Sequence, residues 1–290
     1  GTDAVPQPKL AAIHYDLIGD VMALSEYEAG NMDYAGIPSG DYDRITTDPA
    51  YTDHLIYRPT SIGTEWLIYN PWLAPTDDIR VRQALSYAVD KDAVVKAVKA
   101  GETAPYFINP AVAGAPKKED YPDLGIMYDP VKAKALIHEY CAEKGIKPAD
   151  VKVIYSYSTS DANKLRAEAV QSMWQTNLGI TVELQNSEWA VFKVERREGL
   201  ANVYRSSWVQ DYMDANNFTA DVFLCPGGAY QPVTDWPSVG CKDVSDPVYV
   251  KYAEIIKAAG KETDTAKRAE LYAQSEDILL KEVAIINPLN

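Results

Sequence analysis

Acid–base or metal chemistry near neutral pH would fall first to histidine, and this chain carries His14, His54 and His138. They lie far apart in sequence, and none has a second histidine or a cysteine at metal-ligand spacing, so each reads as a surface or packed residue. There is no Gly-x-Ser-x-Gly elbow, no His-Glu-x-x-His pair, no Gly-rich phosphate loop and no Gly-x-Gly-x-x-Gly turn. No nucleophile, zinc site or nucleotide cradle is assembled, and no cofactor is expected. Carboxylates are so numerous that almost any two could be nominated as acid and base, which leaves a glycosidase as an unsupported alternative. Cys141, Cys225 and Cys241 also lack Cys-x-x-Cys spacing. Cys225 and Cys241 stand in a turn-rich stretch where a short-loop disulfide closes easily. That bridge is expected, with Cys141 a buried free thiol beside Leu136 and Ile137.

The elements that must position any site are legible from capping and periodicity. Residues 8–61 read as a small α/β piece: a strand at Leu10–Tyr15, a helix from Asp20 to Ala29 stopped by Gly30, and a strand near Tyr34. Another strand covers residues 64–70. Thr76 or Asp77 is expected to cap a helix with Val81, Leu85 and Val89 on its apolar face, followed by a helix from Asp92 to Lys99. The Pro-rich, irregular stretch 102–127 is long enough to wrap a surface or line a site. Asp129 and Pro130 open a helix that Gly145 closes. From there strands and helices alternate: strand Val151–Tyr157, helix Asp161–Asn177, strand Ile180–Gln185, helix Glu188–Arg197 capped by Ser187, strand Asn202–Ser206. This order predicts a parallel sheet, whose ligands bind beyond the carboxyl ends of the strands, here near Ser156–Ser158, Asn186–Trp189 and Ser206–Tyr212. Helices at Pro247–Ala259 and Thr265–Lys281 and a strand-like run, Val283–Ile286, follow.

Composition narrows the partners. The 290 residues are 47% hydrophobic, ample for a sizeable core, and 42 acidic against 28 basic side chains give a net charge of -14, which repels nucleic acid and anionic membranes. Tyrosine and tryptophan, 20 and 6, greatly outnumber the 4 phenylalanines; rings with a polar tip suit partly wet ligand surfaces. No stretch approaches the ~20 apolar residues that span a bilayer. Gly1–Leu10 lacks the basic and apolar parts of a signal peptide, so any signal is expected to have been removed.

Two runs carry a resemblance. Ser187-Glu188-Trp189-Ala190-Val191-Phe192, then Arg196, then Tyr204 through Tyr212, together with the helix Asp77–Asp90, resemble the oligopeptide-binding family of ABC-importer receptors. The likeness extends from Pro8 to Ile286. It implies an α/β fold of the type II periplasmic-binding-protein kind, a lobe with a parallel-core sheet flanked by helices plus part of a second lobe. By that likeness residues 1–61 are a partial first lobe, 62–69 a crossing strand, 70–283 the second lobe, and 284–290 a truncated return strand. It implies a monomeric, non-catalytic receptor in the periplasm or at the cell surface, with an oligopeptide as ligand and importer permease subunits as partners. Asp211 resembles the family's acceptor for a peptide α-ammonium. Arg196 and Arg205 resemble basic residues facing the cleft, Trp189 and Trp208 pocket walls, and Ser207 and Val209 the backbone that pairs with the peptide. Read from spacing alone, Asp211 could instead cap the following helix, and Arg205 could pair with Glu195 or Glu198. The helix Asp77–Asp90 reads as scaffold. Asp214-Ala215 replaces the family's Asp-Pro and is expected to loosen that turn. Gly63 and Val209 stand where enteric members carry cysteine. The same fold with an oligosaccharide, opine or nickel complex as ligand, or an unrelated hydrolase, are the competing readings.

Overall fold

Gly30 has φ +79, a backbone that glycine adopts without strain, and it stops helix α1 (Asp20–Glu28) just past Ala29, as expected. A computed structural model of the protein describes residues 9–57, 62–225 and 245–290, and the chain divides into the units Gly1–Ile56 and Tyr57–Asn290. In the first, α1 is followed by α2 (Tyr42–Thr47) and a 3-10 turn at Pro49–His54. Leu24, Pro38 and Ile45 are its buried apolar side chains among the described residues. The strands expected at Leu10–Tyr15 and near Tyr34 are absent. A strand needs a neighbour for its backbone groups, and no strand is found among the described residues of this unit. Leu10, Ile13 and Tyr15 are exposed.

The second unit is built on strands β1 (Gly63–Tyr69), β2 (Lys152–Ser158), β3 (Thr181–Ser187), β4 (Val203–Val209) and β5 (Ile286–Pro288), in the order β3-β2-β4-β1-β5. β2 runs parallel to β3 and β4, and β1 antiparallel to β4 and β5. The period-2 alternation of β1 divides its side chains between two cores. Leu67 and Tyr69 join Val153, Tyr155 and Val203 against α3 (Ile79–Tyr87), α4 (Lys91–Val98), α5 (Pro130–Lys144) and α6 (Asp161–Leu178). Trp66 and Ile68 join Tyr204 on the opposite face. There they meet Phe107, α7 (Trp189–Glu198) through Phe192, and α8 (Ala215–Phe223), α9 (Pro247–Ala259) and α10 (Thr265–Asp277).

Three local expectations are corrected. The cap of α3 is Asp78, whose carboxylate accepts from the Arg80 N–H, because the Thr76 hydroxyl is committed to the Asn70 and Leu73 carbonyls. The cap of α7 is Glu188, because Ser187 still belongs to β3, opposite Ser158. The last strand begins at Ile286 rather than Val283: α10 widens into a π-type turn at Ile278–Glu282, and Ala284 at φ +50 breaks the extended run.

At the amino end of the parallel strands a polar network is closed by backbone. Asn202 donates to the Leu73 and Ala74 carbonyls and accepts from the Ile154 N–H, while Asn70 donates to the Gly199 and Ala201 carbonyls. Arg82, buried, donates to the Thr76, Asp77 and Val283 carbonyls. The stretch 102–127 forms no helix or strand. It is held from behind by Glu276, which accepts from the Phe107 and Ile108 N–H groups, and by Lys91, which donates to the Ala104 carbonyl.

Candidate ligand-binding site

At the carboxyl end of β4 the sheet opens. The β2–β4 ladder covers Tyr155↔Val203 and Ser156↔Tyr204, and beyond Tyr204 β4 is flanked on one side alone, by β1. The Asn70 N–H donates to Asn202 O at one end of the β1–β4 ladder and the Gln210 N–H to Ile62 O at the other. With that register the even-numbered residues of β4 direct their backbone at β1, and Ser207 and Val209 direct theirs away from it. On the β1 side of this strand lies a groove of about 570 Å³, lined by Ile62, Gly63, Thr64 and Glu65, by Ser207, Trp208 and Val209, by Asn290, and by the loop segments Gly101–Pro105 and Asn109–Ala111. The irregular stretch therefore lines this groove.

The charges beneath the groove are unevenly matched. Arg205 grips Glu65 with both ends of its guanidinium, Nε to Oε2 at 2.7 Å and Nη2 to Oε1. Neither Glu195 nor Glu198 is its partner, since those lie on α7 and Glu65 is the diagonal neighbour of Arg205 across the β1–β4 ladder. Arg166, on α6, approaches the same carboxylate at 3.8 Å and donates to Asn163 at 2.9 Å. Two guanidiniums thus share one carboxylate, a local surplus of positive charge. Close to them the Tyr155 hydroxyl and Arg166 Nε are buried without a hydrogen-bond partner among the described residues. Burial pushes the Tyr155 hydroxyl well above its ordinary value, so it stays a neutral donor.

The negative pole lies where β4 ends. Asp211 is exposed and caps no helix; the cap of α8 is Asp214, which accepts from the Asn216 N–H. Asp214 also receives two 2.8 Å hydrogen bonds from Arg268, so the Asp214-Ala215 turn is clamped where loosening was expected. Asn217 joins Asp211 to Trp208. Its Oδ1 accepts from Trp208 Nε1 at 3.0 Å and from the Asp211 N–H at 2.9 Å, and its Nδ2 donates to Asp211 Oδ2 at 3.3 Å and Asp221 Oδ2 at 2.8 Å.

Ser207, Trp208 and Val209 therefore line the groove, Asp211 is tied to Trp208 through one amide, and Arg205 sits beneath Glu65. Trp189 and Arg196 are on α7 and outside that lining. Trp189 is half-exposed and stacks on Phe192 at 5.9 Å, and the Arg196 guanidinium lies 5.6 Å over the same Phe192 ring, two turns from Trp189 on one helix face. Cys141 is free and buried, as expected, and burial raises its thiol above the ordinary value. The expected Cys225–Cys241 bridge involves Cys241, which lies outside the described residues.

Sequence reasoning passed over Glu65, Arg166, Asn217, Lys91 and Glu276. Two of them carried a signal. Glu65 falls in the inward phase of Leu67 and Tyr69, and Glu276 on the stripe of Tyr272 and Ala273, so each is a charge on a core face. Among the described residues no group of His, Cys, Asp and Glu is placed to hold a metal ion, and no helix is long and apolar enough to cross a membrane.

Comparison with known proteins identifies the family and its relatives. Residues 4–230 match the family "Bacterial extracellular solute-binding proteins, family 5 Middle". The oligopeptide-binding protein OppA of Bacillus subtilis is 31% identical over 268 residues, 90% of this chain and 46% of that protein. The periplasmic oligopeptide-binding protein OppA of Salmonella typhimurium is 32% identical over 274 residues, 92% of this chain and 46% of that protein. The structure of the Escherichia coli murein tripeptide binding protein MppA superposes with a TM-score of 0.75 at 28% identity, covering 92% of this chain and 49% of its own. The chain spans about half the length of the relatives it matches.

Proposed function

Because the chain belongs to the bacterial extracellular solute-binding proteins of family 5, we propose that it is the larger ligand-closing part of a receptor that binds oligopeptides outside the cytoplasm and passes them to the permease of an ABC importer. It performs no catalysis. In this reading residues 1–61 are part of one lobe, 62–69 and 284–290 the crossings, and 70–283 the second lobe. The observation that carries it is an open strand edge at β4 beside a groove, with charged groups of both signs close by. A peptide is itself a strand with a cation at one end and an anion at the other. The backbone at Ser207 and Val209 offers the edge, Asp211 takes the α-ammonium, and the surplus positive charge of Arg205 and Arg166 attracts the carboxylate. Trp208 walls a side-chain pocket, and Trp189 is exposed enough to wall another. An oligosaccharide would need the aromatic walls but neither charged pole.

A charge-assisted hydrogen bond in a water-poor groove is worth roughly 1.5 to 3 kcal/mol. Asp211→Ala in the full-length receptor is therefore expected to weaken a free-amine tripeptide roughly tenfold to a hundredfold in calorimetry. The N-acetylated peptide, lacking the cation, is expected to bind wild type poorly and to be nearly insensitive to the substitution. Equal responses of the two peptides would remove Asp211 from the site.

A further inference from the structure

Asn217 occupies the third position of α8 and is fully buried. Its amide has no freedom of orientation: Oδ1 faces two N–H donors, from Trp208 and the Asp211 backbone, and Nδ2 faces two carboxylates, Asp211 and Asp221. A flipped amide would set its NH2 against the donors and its oxygen against the carboxylates, four unfavourable contacts around a buried side chain. The base of α8 is itself fixed. Asp214 caps it and is held by Arg268, and the Ala215 N–H donates to Ala113 O at 2.8 Å. A rigid helix start thus carries one amide that holds an indole and a carboxylate at a set separation.

We infer that Asn217 is a positioning residue for the ligand site, fixing the Asp211 carboxylate relative to the Trp208 wall so that a ligand's cation and its neighbouring side chain are read together. This rests on the peptide-receptor reading above and deepens it. The hydrogen bond from Nδ2 uses one Asp211 oxygen, which leaves the other for the ligand, and the bond to the Asp211 N–H fixes the backbone from which the carboxylate projects. Asn217 touches no ligand; its effect passes through Asp211 and Trp208.

The test is calorimetry on the full-length receptor with tri-alanine and N-acetyl-tri-alanine. Asn217→Leu keeps a similar volume and removes all four hydrogen bonds. It is expected to weaken tri-alanine about tenfold and leave the acetylated peptide within about twofold. The double variant Asp211→Ala with Asn217→Leu is expected to bind no more weakly than Asp211→Ala alone, because positioning is worthless once the carboxylate is gone. If the leucine variant fails to fold, Asn217→Ser, too short to span both partners, is expected to give the same pattern. A ligand-free readout accompanies it: the Trp208 indole N–H should exchange with solvent faster in either variant. Full additivity in the double variant, or wild-type binding by a folded Asn217 variant, overturns the inference while leaving Asp211 in place. Undiminished preference for the free amine in Asp211→Ala overturns both readings.

Discussion

Arg82 and Arg205 lie at opposite ends of one sheet and are satisfied in opposite ways. At the amino end of the parallel strands Arg82 is surrounded by carbonyl oxygens of Thr76, Asp77 and Val283, with no carboxylate among the described residues in hydrogen-bond contact, and burial pushes its guanidinium down to about 10. At the carboxyl end Arg205 is matched by Glu65, and Arg166 shares that carboxylate. The backbone closes the first site. The second keeps an excess of charge beside a groove. Polar groups at one end hold loops to the sheet, and at the other they leave charge unmatched beside the groove.

The sharpest way to break this contrast is Arg82→Met, which leaves three carbonyls without their donor. Hydrogen bonds to a charged group are worth about 1.5–3 kcal/mol each, and relief of the guanidinium's burial cost offsets part of their loss, so a loss of about 3 kcal/mol in urea unfolding is expected, with peptide affinity changed less than twofold. Binding that fell in step with stability would mean that the two ends are not separate. Glu65→Gln addresses the other end. It leaves two guanidiniums facing each other, and about 2 kcal/mol of stability should go, recovered in part by added salt or by a carboxylate ligand. No recovery would say that the surplus charge is purely structural.

A third experiment concerns the seat of the groove wall. Burial raises Glu276 to about 7 and lowers Lys91 to about 7. The groups facing them are Tyr106 and Lys118 from the loop, Tyr252 from α9 and Asp277 on α10. Folded Glu276 holds its proton more tightly than the unfolded chain does, so its contribution is complete below the ordinary glutamate range and is lost as pH rises toward 7. Folded Lys91 holds its proton less tightly, so stability is regained from about 7 toward the ordinary lysine range. Unfolding midpoints are expected to pass through a minimum near neutral pH. Glu276→Gln should remove the acid limb. A flat profile would show that the wall is not seated on titrating groups. The smallest effect belongs to Arg80 on the outer face of α3, which bridges Asp78, Glu139 and Glu143. Arg80→Ala should cost about 0.5–1 kcal/mol and leave binding untouched.

Most of the second unit was legible because its signals are local. Asp129-Pro130 and Gly145 bracket α5, and the alternation of β2, α6, β3, α7 and β4 sets a parallel order that the sheet follows. The strands expected at Leu10–Tyr15 and near Tyr34 failed because strand formation depends on a neighbour, which no local pattern supplies. Caps moved by one or two residues where the expected residue was already committed, Thr76 to the Asn70 and Leu73 carbonyls and Ser187 to β3. In the candidate site, Trp208 and Asp211 were legible through family likeness. Asn217 was not: one asparagine on a helix carries no period, and its importance comes from four partners that meet only after the chain has turned back from β4 into α8.

Cys141 offers an internal clock. Its thiol is buried on α5 beneath the core that includes Ile137, Tyr140 and Trp174, and a raised thiol reacts slowly even when reached. A thiol reagent can therefore modify it at a rate set by how often α5 lifts from that core. Where closing outpaces modification, the ratio of observed to intrinsic rate is the opening equilibrium constant itself. Followed with and without a peptide in the groove, that one reaction would report whether filling the carboxyl end of the sheet quiets motion in the helical layer on its α3–α6 face.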